Sequence, residues 1–450
     1  MAKANIPARL GACAALLAAL YSGSAAAVSL QQAYQAALKN DPTFRMNFYE
    51  NEAAKENLVL GRAGLLPSVS AQFSGNKNVA DMENLDQMSV LLGKSVTHPR
   101  YISRSSVVQM RQSLFNIDAL TRYRQGKVQT QASEQQYEAN VNEVALRVVG
   151  AYCDALFAQD QVALAQVQRD MYLEQQKVNQ RLFEKGEGTK TDMLETKARL
   201  DLAEATLVEA QDNAVAMLNA LAGVIGMDPG TLDTLSSNFR IGDLDVGPYE
   251  KWQQLARERN HELAAARLTV ENARLEIVKN KAGHYPRVDF IASYSKGDSE
   301  SLNTYTQNTV NRSLGVQVSI PIYQGGAINA ATRQAAANYE RAKADLDART
   351  NKIMVDLRKA HSVVQSSVHK VEALVKAVES SKELMKATEQ SIKGGVRINL
   401  DLLNAQQQLF TSQRDLAQAR YTYLLGLLRL SAAAGTIGDT DIREVAAYFR

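Results

Sequence analysis

The sequence predicts a mixed α+β membrane protein, mainly long coiled-coil α-helices joined to a few short strands, built as an internal two-fold repeat. Three observations carry this expectation. The eight prolines leave two stretches, 100–228 and 322–450, with none at all. Each stretch places apolar residues at coiled-coil spacing. A glycine followed six residues on by an aspartate, Gly186 to Asp192, returns 209 positions later as Gly395 to Asp401.

In chain order, residues 1–27 read as a signal peptide: Lys3 and Arg9, an apolar stretch from Leu10 to Tyr21, then small residues ending in Ala25, Ala26 and Ala27. The mature chain is expected to start near Val28 and to be exported. Lipidation at Cys13 is not expected, because no apolar region precedes it. Losing Lys3 and Arg9 takes away two positive charges and moves the formal net charge from +3 to +1. That near-neutral balance argues against a nucleic-acid partner. It also leaves Cys153 without a second thiol, and it is read as a small buried residue. No later stretch has the roughly 18 continuous apolar residues of a membrane-spanning helix. A mature chain that crosses a membrane must then do so as a β-barrel, which satisfies every backbone group.

The first repeat, 28–227, is expected to hold short elements over about 29–62, strands over about 68–77 and 104–114, and helices over about 118–184 and 190–226. The second, 228–450, repeats the plan: short elements over about 228–282, strands over about 287–296 and 311–320, helices over about 327–392 and 399–433, then a C-terminal tail. The strands rest on period-two alternation. Val69, Ala71 and Phe73 face one way, as do Ser106, Val108, Met110 and Leu114, then Val288, Phe290, Ala292 and Tyr294, and finally Leu314, Val316, Val318 and Ile320. Alternation with one polar face fits a barrel strand, although a strand of a soluble sheet reads the same way.

The long helices rest on steps of three and four. Val141, Val144, Val148, Ala151, Ala155, Ala158, Val162 and Ala165 take them in the first repeat, and Met354, Leu357, His361, Val364, Val368, Val371, Val375 and Val378 in the second. At roughly 1.5 Å per residue each long helix reaches on the order of 100 Å. Gly64 to Pro67 matches Gly283 to Pro286 at an offset of 219, while Leu114 to Asn116 matches Ile322 to Gln324 at 208. The length change falls between paired strands, so the loops 78–103 and 298–310 are placed on a tolerant, exposed face. The glycine motifs are the turns between the long helix and the shorter returning one. Glycine supplies the left-handed residue that ends a helix, and Thr189 or Asn399 begins the next.

Nothing points to catalysis. His98, His261, His284, His361 and His369 are scattered, with no cluster at metal-ligand spacing, and Gly186, Gly188, Gly394 and Gly395 lack the rest of any phosphate-binding motif. No enzyme activity, cofactor or metal is expected.

The leader, the duplicated strand-strand-helix-helix unit, "LLPSVS", "SIPIYQGGAINA" and the paired turns together resemble the TolC family of outer-membrane channel-tunnels. "GRAGLLPSVS", "YRQGKVQ" and "GEGTKTDMLETKARLDLA" resemble most the branch serving type I secretion of alkaline proteases and lipases. The resemblance covers essentially the whole mature chain. It implies a homotrimer whose four strands per chain build one 12-stranded transmembrane β-barrel in the outer-membrane lipid. The helices would continue it as a periplasmic α-helical coiled-coil tunnel, with the short elements as an equatorial belt. The implied partners are a periplasmic adaptor, or membrane fusion protein, an inner-membrane ABC transporter and secreted protein cargo in transit.

The resemblance also implies site residues. Position 401 corresponds to an aspartate ring that narrows the periplasmic entrance, and Arg397 to a residue that latches to Asp192 of the neighbouring helix pair. Asn404 stands where the family carries a second aspartate, and Ile392 where it carries a latching tyrosine, so one charged ring is expected and more reliance on Arg397. The turns at Gly186, Gly188, Gly394 and Gly395 are the expected adaptor contacts. A different reading takes Asp192 and Asp401 as ordinary first-turn acids favourable to the helix dipole. Two other functions stay open at this point: the channel of a multidrug efflux pump, and a periplasmic coiled-coil scaffold without a pore.

Overall fold

A computed structural model of the chain describes residues 27–83, 88, 96–98, 100–236, 239, 246–299, 307–394 and 396–450. Nearly all of the expected signal peptide, parts of both expected loops, and Gly395 lie outside the described residues.

The chain begins with helices α1 (Leu30–Asn40) and α2 (Pro42–Ala63), followed by strand β1 (Ser68–Val79). Two short strands, β2 (Met82–Glu83) and β3 (Val96–Thr97), precede β4 (Arg100–Phe115). Helices α3 (Ile117–Glu184) and α4 (Lys190–Ile225) complete the first half. The second half runs α5 (Tyr249–Arg259), α6 (His261–Lys281), a 3₁₀ turn, β5 (Arg287–Ser299), β6 (Gln307–Ser319), α7 (Ala327–Lys393), α8 (Asn399–Ala434) and α9 (Asp439–Ala446). With 68 and 67 residues, α3 and α7 are far longer than the helices of ordinary globular domains. Among the described residues no helix is long and apolar enough to cross a membrane.

The chain divides into two units. One comprises Glu50–Gln135 and Ala264–Arg349 and contains the sheet. Its four long strands pair antiparallel in the order β1-β4-β5-β6. β1 and β6 are the edges. The strands run further than the alternating side chains alone suggested, because Asn78 and Ser103 join the backbone ladder regardless of hydrophobicity.

Register separates the two faces. The row Val69, Met110, Ala292, Leu314 crosses all four strands on one face, and the adjacent row on the other face is Ser70, Gln109, Ser293, Ser313. The apolar row is not covered within one chain: Val69 is 69% and Leu314 78% exposed. On the polar face Arg111 reaches across to Asp289 of β5, its Nε 3.1 Å from the carboxylate, and Asp289 is buried.

The other unit, Met1–Tyr49, Gln136–Leu263 and Thr350–Arg450, holds the main core. Leu30 and Ala33 of α1, Val148, Tyr152 and Leu156 of α3, Leu221 of α4, Leu357 and Val364 of α7, and Leu424 and Leu428 of α8 pack together with Ile442 of α9. Tyr152 is fully buried and its hydroxyl ties two segments of backbone together. It donates towards Val28 O (2.9 Å) and Asp233 O (3.2 Å) and accepts from Asp233 N (3.0 Å). Residues 231–235 also receive both ends of the described chain, through the Val28–Leu232 bridge and a reciprocal pair of backbone bonds between Thr234 and Arg450.

One contact occurs at the end of each returning helix. Gly226 follows α4 at φ +69 and lies so close to Asn40 that a Cβ would stand 2.5 Å from that side chain, while the Asn40 amide donates to Ile225 O at 3.2 Å. Gly435 follows α8 at φ +72 against Arg259 and Asn260, and the Asn260 amide donates to Ala433 O at 3.0 Å.

The expected seam of α7 needs correction. Leu357, Val364, Val371 and Val378 are buried, but Met354, His361, Val368 and Val375 are only half-buried. The places of the first three are taken one residue earlier by Ile353, Ala360 and Ser367, and Ser381 and Thr388 are buried further along the same line. Small side chains there let helices approach closely, and burying a serine costs little where its hydroxyl finds a partner, as Ser381 does with Ser412 at 3.4 Å.

Candidate functional site at the paired helical turns

The first turn ends α3 through its backbone. Glu187 N–H and Gly188 N–H both donate to Leu182 O (2.9 and 3.1 Å), and Gly186 adopts φ +75. A side chain on an L-residue is disfavoured there. Gly188 is tightly placed, since a Cβ would sit 3.0 Å from Phe183 N. In the second turn, Gly394 N–H donates to Gln390 O (3.1 Å) and Val396 N–H to Ser391 O (2.9 Å), the same five-residue reach as Glu187 makes to Leu182.

The helices that leave the two turns start differently. Thr189 caps α4 with a capping box: its hydroxyl accepts from Asp192 N–H (3.1 Å) and donates to the Asp192 carboxylate (2.6 Å). Asp192 is thus engaged by its own helix start. The cap of α8 is Ile398, which makes no side-chain cap bond. Asn399, expected to begin that helix as a cap, is instead its first residue, and its side chain turns inward to hydrogen-bond with other helices.

Those bonds join α3, α4 and α8. Gln175 Nε2 donates to Asn399 Oδ1 (2.9 Å) and to Asn179 Oδ1 (3.1 Å). Asn179 Nδ2 and Asn399 Nδ2 both donate to Thr196 Oγ1, at 2.7 and 3.1 Å. The Thr196 hydroxyl donates to Asp192 O at 2.9 Å. Thr196 is fully buried, and Asn179 and Asn399 are buried too. Two turns back along α3, Gln168 Nε2 donates to Gln407 Oε1 at 2.8 Å, and burial pushes the Tyr172 phenol beside it above its ordinary pKa.

Two of the charged candidates flank the start of α8, Arg397 just before it and Asp401 in its first turn. Arg397 Nη1 stands 4.0 Å from the carboxylate of Asp401, and both are partly solvent-exposed. Among the described residues this is the ion pair Arg397 makes; within one chain it does not meet Asp192. Asn404 accepts from Arg199 of α4 at 3.2 Å. Sequence reasoning missed Arg199, Gln175, Asn179 and Thr196. A signal was present for two of them: Tyr172, Gln175 and Asn179 continue the three-and-four spacing of α3 with amides where an apolar seam is expected.

The fold is that of an outer-membrane channel. The crystal structure of the Campylobacter jejuni CmeC outer membrane channel matches with a TM-score of 0.78 at 17% identity, covering 94% of this chain and 90% of that one. The chain belongs to the outer membrane efflux protein family, whose match spans residues 33–227 and 252–436, and its place is the outer membrane. It is 38% identical to the alkaline protease secretion protein AprF of Pseudomonas aeruginosa, over 94% of this chain and 88% of that protein. It is 34% identical to the proteases secretion protein PrtF of Dickeya chrysanthemi, over 96% and 93% of the two chains.

Proposed function

We propose that this chain is the outer-membrane exit duct of a type I, ABC transporter-driven protein secretion system, a passive channel with no chemistry of its own. Likeness along nearly the whole chain to two protease secretion proteins carries this reading.

Physical constraints favour a closed assembly. A sheet with edges at β1 and β6 and an uncovered apolar face cannot sit in lipid with its edge backbone groups unpaired. Four strands are too few to close a barrel. Joining β6 of one copy to β1 of the next, three times, gives a 12-stranded barrel and removes every edge. The recurring contacts Asn40 to Ile225 with Gly226 and Asn260 to Ala433 with Gly435 support an internal two-fold repeat dividing near residue 228.

In this reading the turns at Gly186 and Gly395 face the periplasm and receive an adaptor that couples the duct to an inner-membrane transporter. Asp401 forms a ring at the entrance, and Arg397 latches to Asp192 of a neighbouring chain. The pairing of Arg397 with Asp401 in one chain is loose and exposed, so a closer partner can displace it.

The test compares proteins released into the medium by wild-type and deletion strains, with drug susceptibility scored on the same cultures. Loss of one or a few secreted hydrolases with unchanged drug tolerance supports the secretion reading. Intact secretion with heightened drug sensitivity moves the chain to multidrug efflux.

A further inference from the structure

We propose that Arg104, Lys296 and Arg312, on the apolar face of the sheet, form a binding site for a phosphate-bearing lipid headgroup of the outer leaflet; this rests on the reading of the sheet as part of a lipid-embedded barrel.

Register sorts the charges of the sheet by face and by height. Counting from the row Val69, Met110, Ala292, Leu314, every second residue of each strand shares the apolar face. Near the helices, where β1 leaves α2 and β4 runs into α3, that face is uncharged, with Val288 and Phe290 of β5 opposite Val318 and Val316 of β6. Towards the far end it turns basic: Lys77 of β1, Arg100 and Arg104 of β4, Lys296 of β5 and Arg312 of β6. Asp298, the cross-strand partner of Arg104, is the one acid on this face among the described residues of the four strands. Over the same stretch the opposite face carries no charge, only residues such as Gln72, Ser105, Ser295 and Asn311.

Three of the five cations stand on neighbouring strands. Lys296 lies opposite Ser106 and Val310, Arg104 opposite Asp298, and Arg312 opposite Tyr294. Lys296 is therefore the diagonal neighbour of both Arg104 and Arg312, roughly 7–8 Å from each. All three are exposed, and among the described residues none makes an ion pair. The Arg312 guanidinium carbon stands over the Tyr294 ring, 5.8 Å from its centroid, which orients the side chain.

These features select the ligand. Three cations spaced for separate contacts suit a headgroup with more than one phosphate, which guanidinium groups grip with paired hydrogen bonds. Exposed apolar side chains on the same face, Phe73 and Leu314 among them, suit the acyl chains of the same molecule. A free phosphate would use the cations and leave this apolar surface bare. With the helices of the proposed duct in the periplasm, the far end of the strands reaches the outer leaflet. Confinement of the cations to the lipid-facing side, at one height, separates them from ordinary solvated charges.

The test measures lipid binding to the purified, assembled protein by native mass spectrometry, titrating diphosphoryl lipid A, monophosphoryl lipid A or inorganic phosphate. Wild type is compared with the triple variant Arg104→Gln, Lys296→Gln, Arg312→Gln, and with Arg287→Gln, which removes an exposed cation at the helical end of the sheet. The triple variant is expected to bind diphosphoryl lipid A about tenfold more weakly or worse, and Arg287→Gln to bind it as wild type does. Wild type is expected to bind monophosphoryl lipid A more weakly and to keep its lipid in millimolar inorganic phosphate. Equal binding by wild type and the triple variant overturns the site, and an equal loss in Arg287→Gln overturns it in favour of net charge alone. Equal affinity for the two lipids overturns recognition of the phosphates; displacement by inorganic phosphate overturns the lipid in favour of a free anion. The comparison of lipids needs no variant, so it decides the question even where the triple variant does not assemble. The barrel reading is scored separately, by labelling Leu314→Cys with a fluorophore and measuring quenching by brominated acyl chains in reconstituted vesicles. Absence of quenching overturns the barrel reading and the site together, whereas quenching with unchanged lipid binding in the triple variant overturns the site alone.

Discussion

The hydroxyl of Tyr421 on α8 donates to the carboxylate of Asp160 on α3 at 2.8 Å, inside the helical unit. Burial raises the Asp160 pKa above its ordinary value, against the opposing pull of this hydrogen bond and of Arg420. The folded protein then holds the Asp160 proton more tightly than the unfolded chain does. This group's favourable contribution is present in full below the ordinary carboxylate pKa of about 3.9 and is lost as pH rises through the folded value. Asp160→Asn, which does not titrate, should therefore gain stability relative to wild type as pH rises from about 4 to neutrality. Thermal melts of the purified protein by circular dichroism at both pH values check this; a mutant midpoint that falls relative to wild type as pH rises contradicts it.

Tyr421→Phe should destabilise by about 1 kcal/mol at neutral pH, since it strips the half-buried Asp160 carboxylate of a donor. The loss should be smaller in the Asp160→Asn background, and a double-mutant cycle on melting data measures the coupling.

Gly226→Ala should cost more than Gly186→Ala. Both glycines have positive φ, but a Cβ at Gly226 meets the Asn40 side chain at 2.5 Å, while nothing lies within 4 Å of one at Gly186. The Gly186 change then carries only the backbone strain, on the order of 1 kcal/mol. Comparing midpoints of chemical unfolding ranks the two.

Cys153 is fully enclosed, and burial pushes its thiol pKa up to about 12. Iodoacetamide at pH 8 should leave the folded protein unmodified and label this residue once denaturant opens the core, as mass spectrometry would show. Labelling at equal rates in both states would contradict the packing described around α3.

Much of the architecture was legible because it depends on local periodicity and on punctuation. The helix read from about 118–184 spans Ile117–Glu184, and the one read from about 399–433 spans Asn399–Ala434. The seam of α7 was less legible. Val363 and Val364, or Ile353 and Met354, are adjacent apolar residues, and periodicity alone cannot say which faces the partner helix. The buried Ser367, Ser381 and Thr388 were invisible to a search for apolar residues. Asn399 was misread as a cap because a polar residue after a turn is usually one; its partners on α3 and α4 are some two hundred residues away in sequence and are brought near only by packing. The candidate roles of Arg397 and Asp401 came from family resemblance, and a single chain cannot display contacts between chains.

Asn404→Asp should strengthen cation preference, because a second carboxylate per chain would join the proposed ring at Asp401. Arg199, which now donates to Asn404, would pair with the new acid and limit the gain. Arg397→Ala should raise conductance with little effect on the apo protein's melting, since its pair with Asp401 is exposed and long. Bilayer recordings in a salt gradient test both.

The order of strands in the sheet bears on how the protein is made. β1 pairs with β4, and β5 with β6, across short sequence separations, but the central β4–β5 ladder joins partners such as Gln112 and Phe290 that are synthesised far apart. The two outer pairs can form early; the middle must wait for the second half of the chain. Until then β4 shows a free edge that β5 of a different molecule fits equally well. Exchange of halves between copies is thus the characteristic assembly error of this topology, and high local concentration during synthesis is the condition that would promote it.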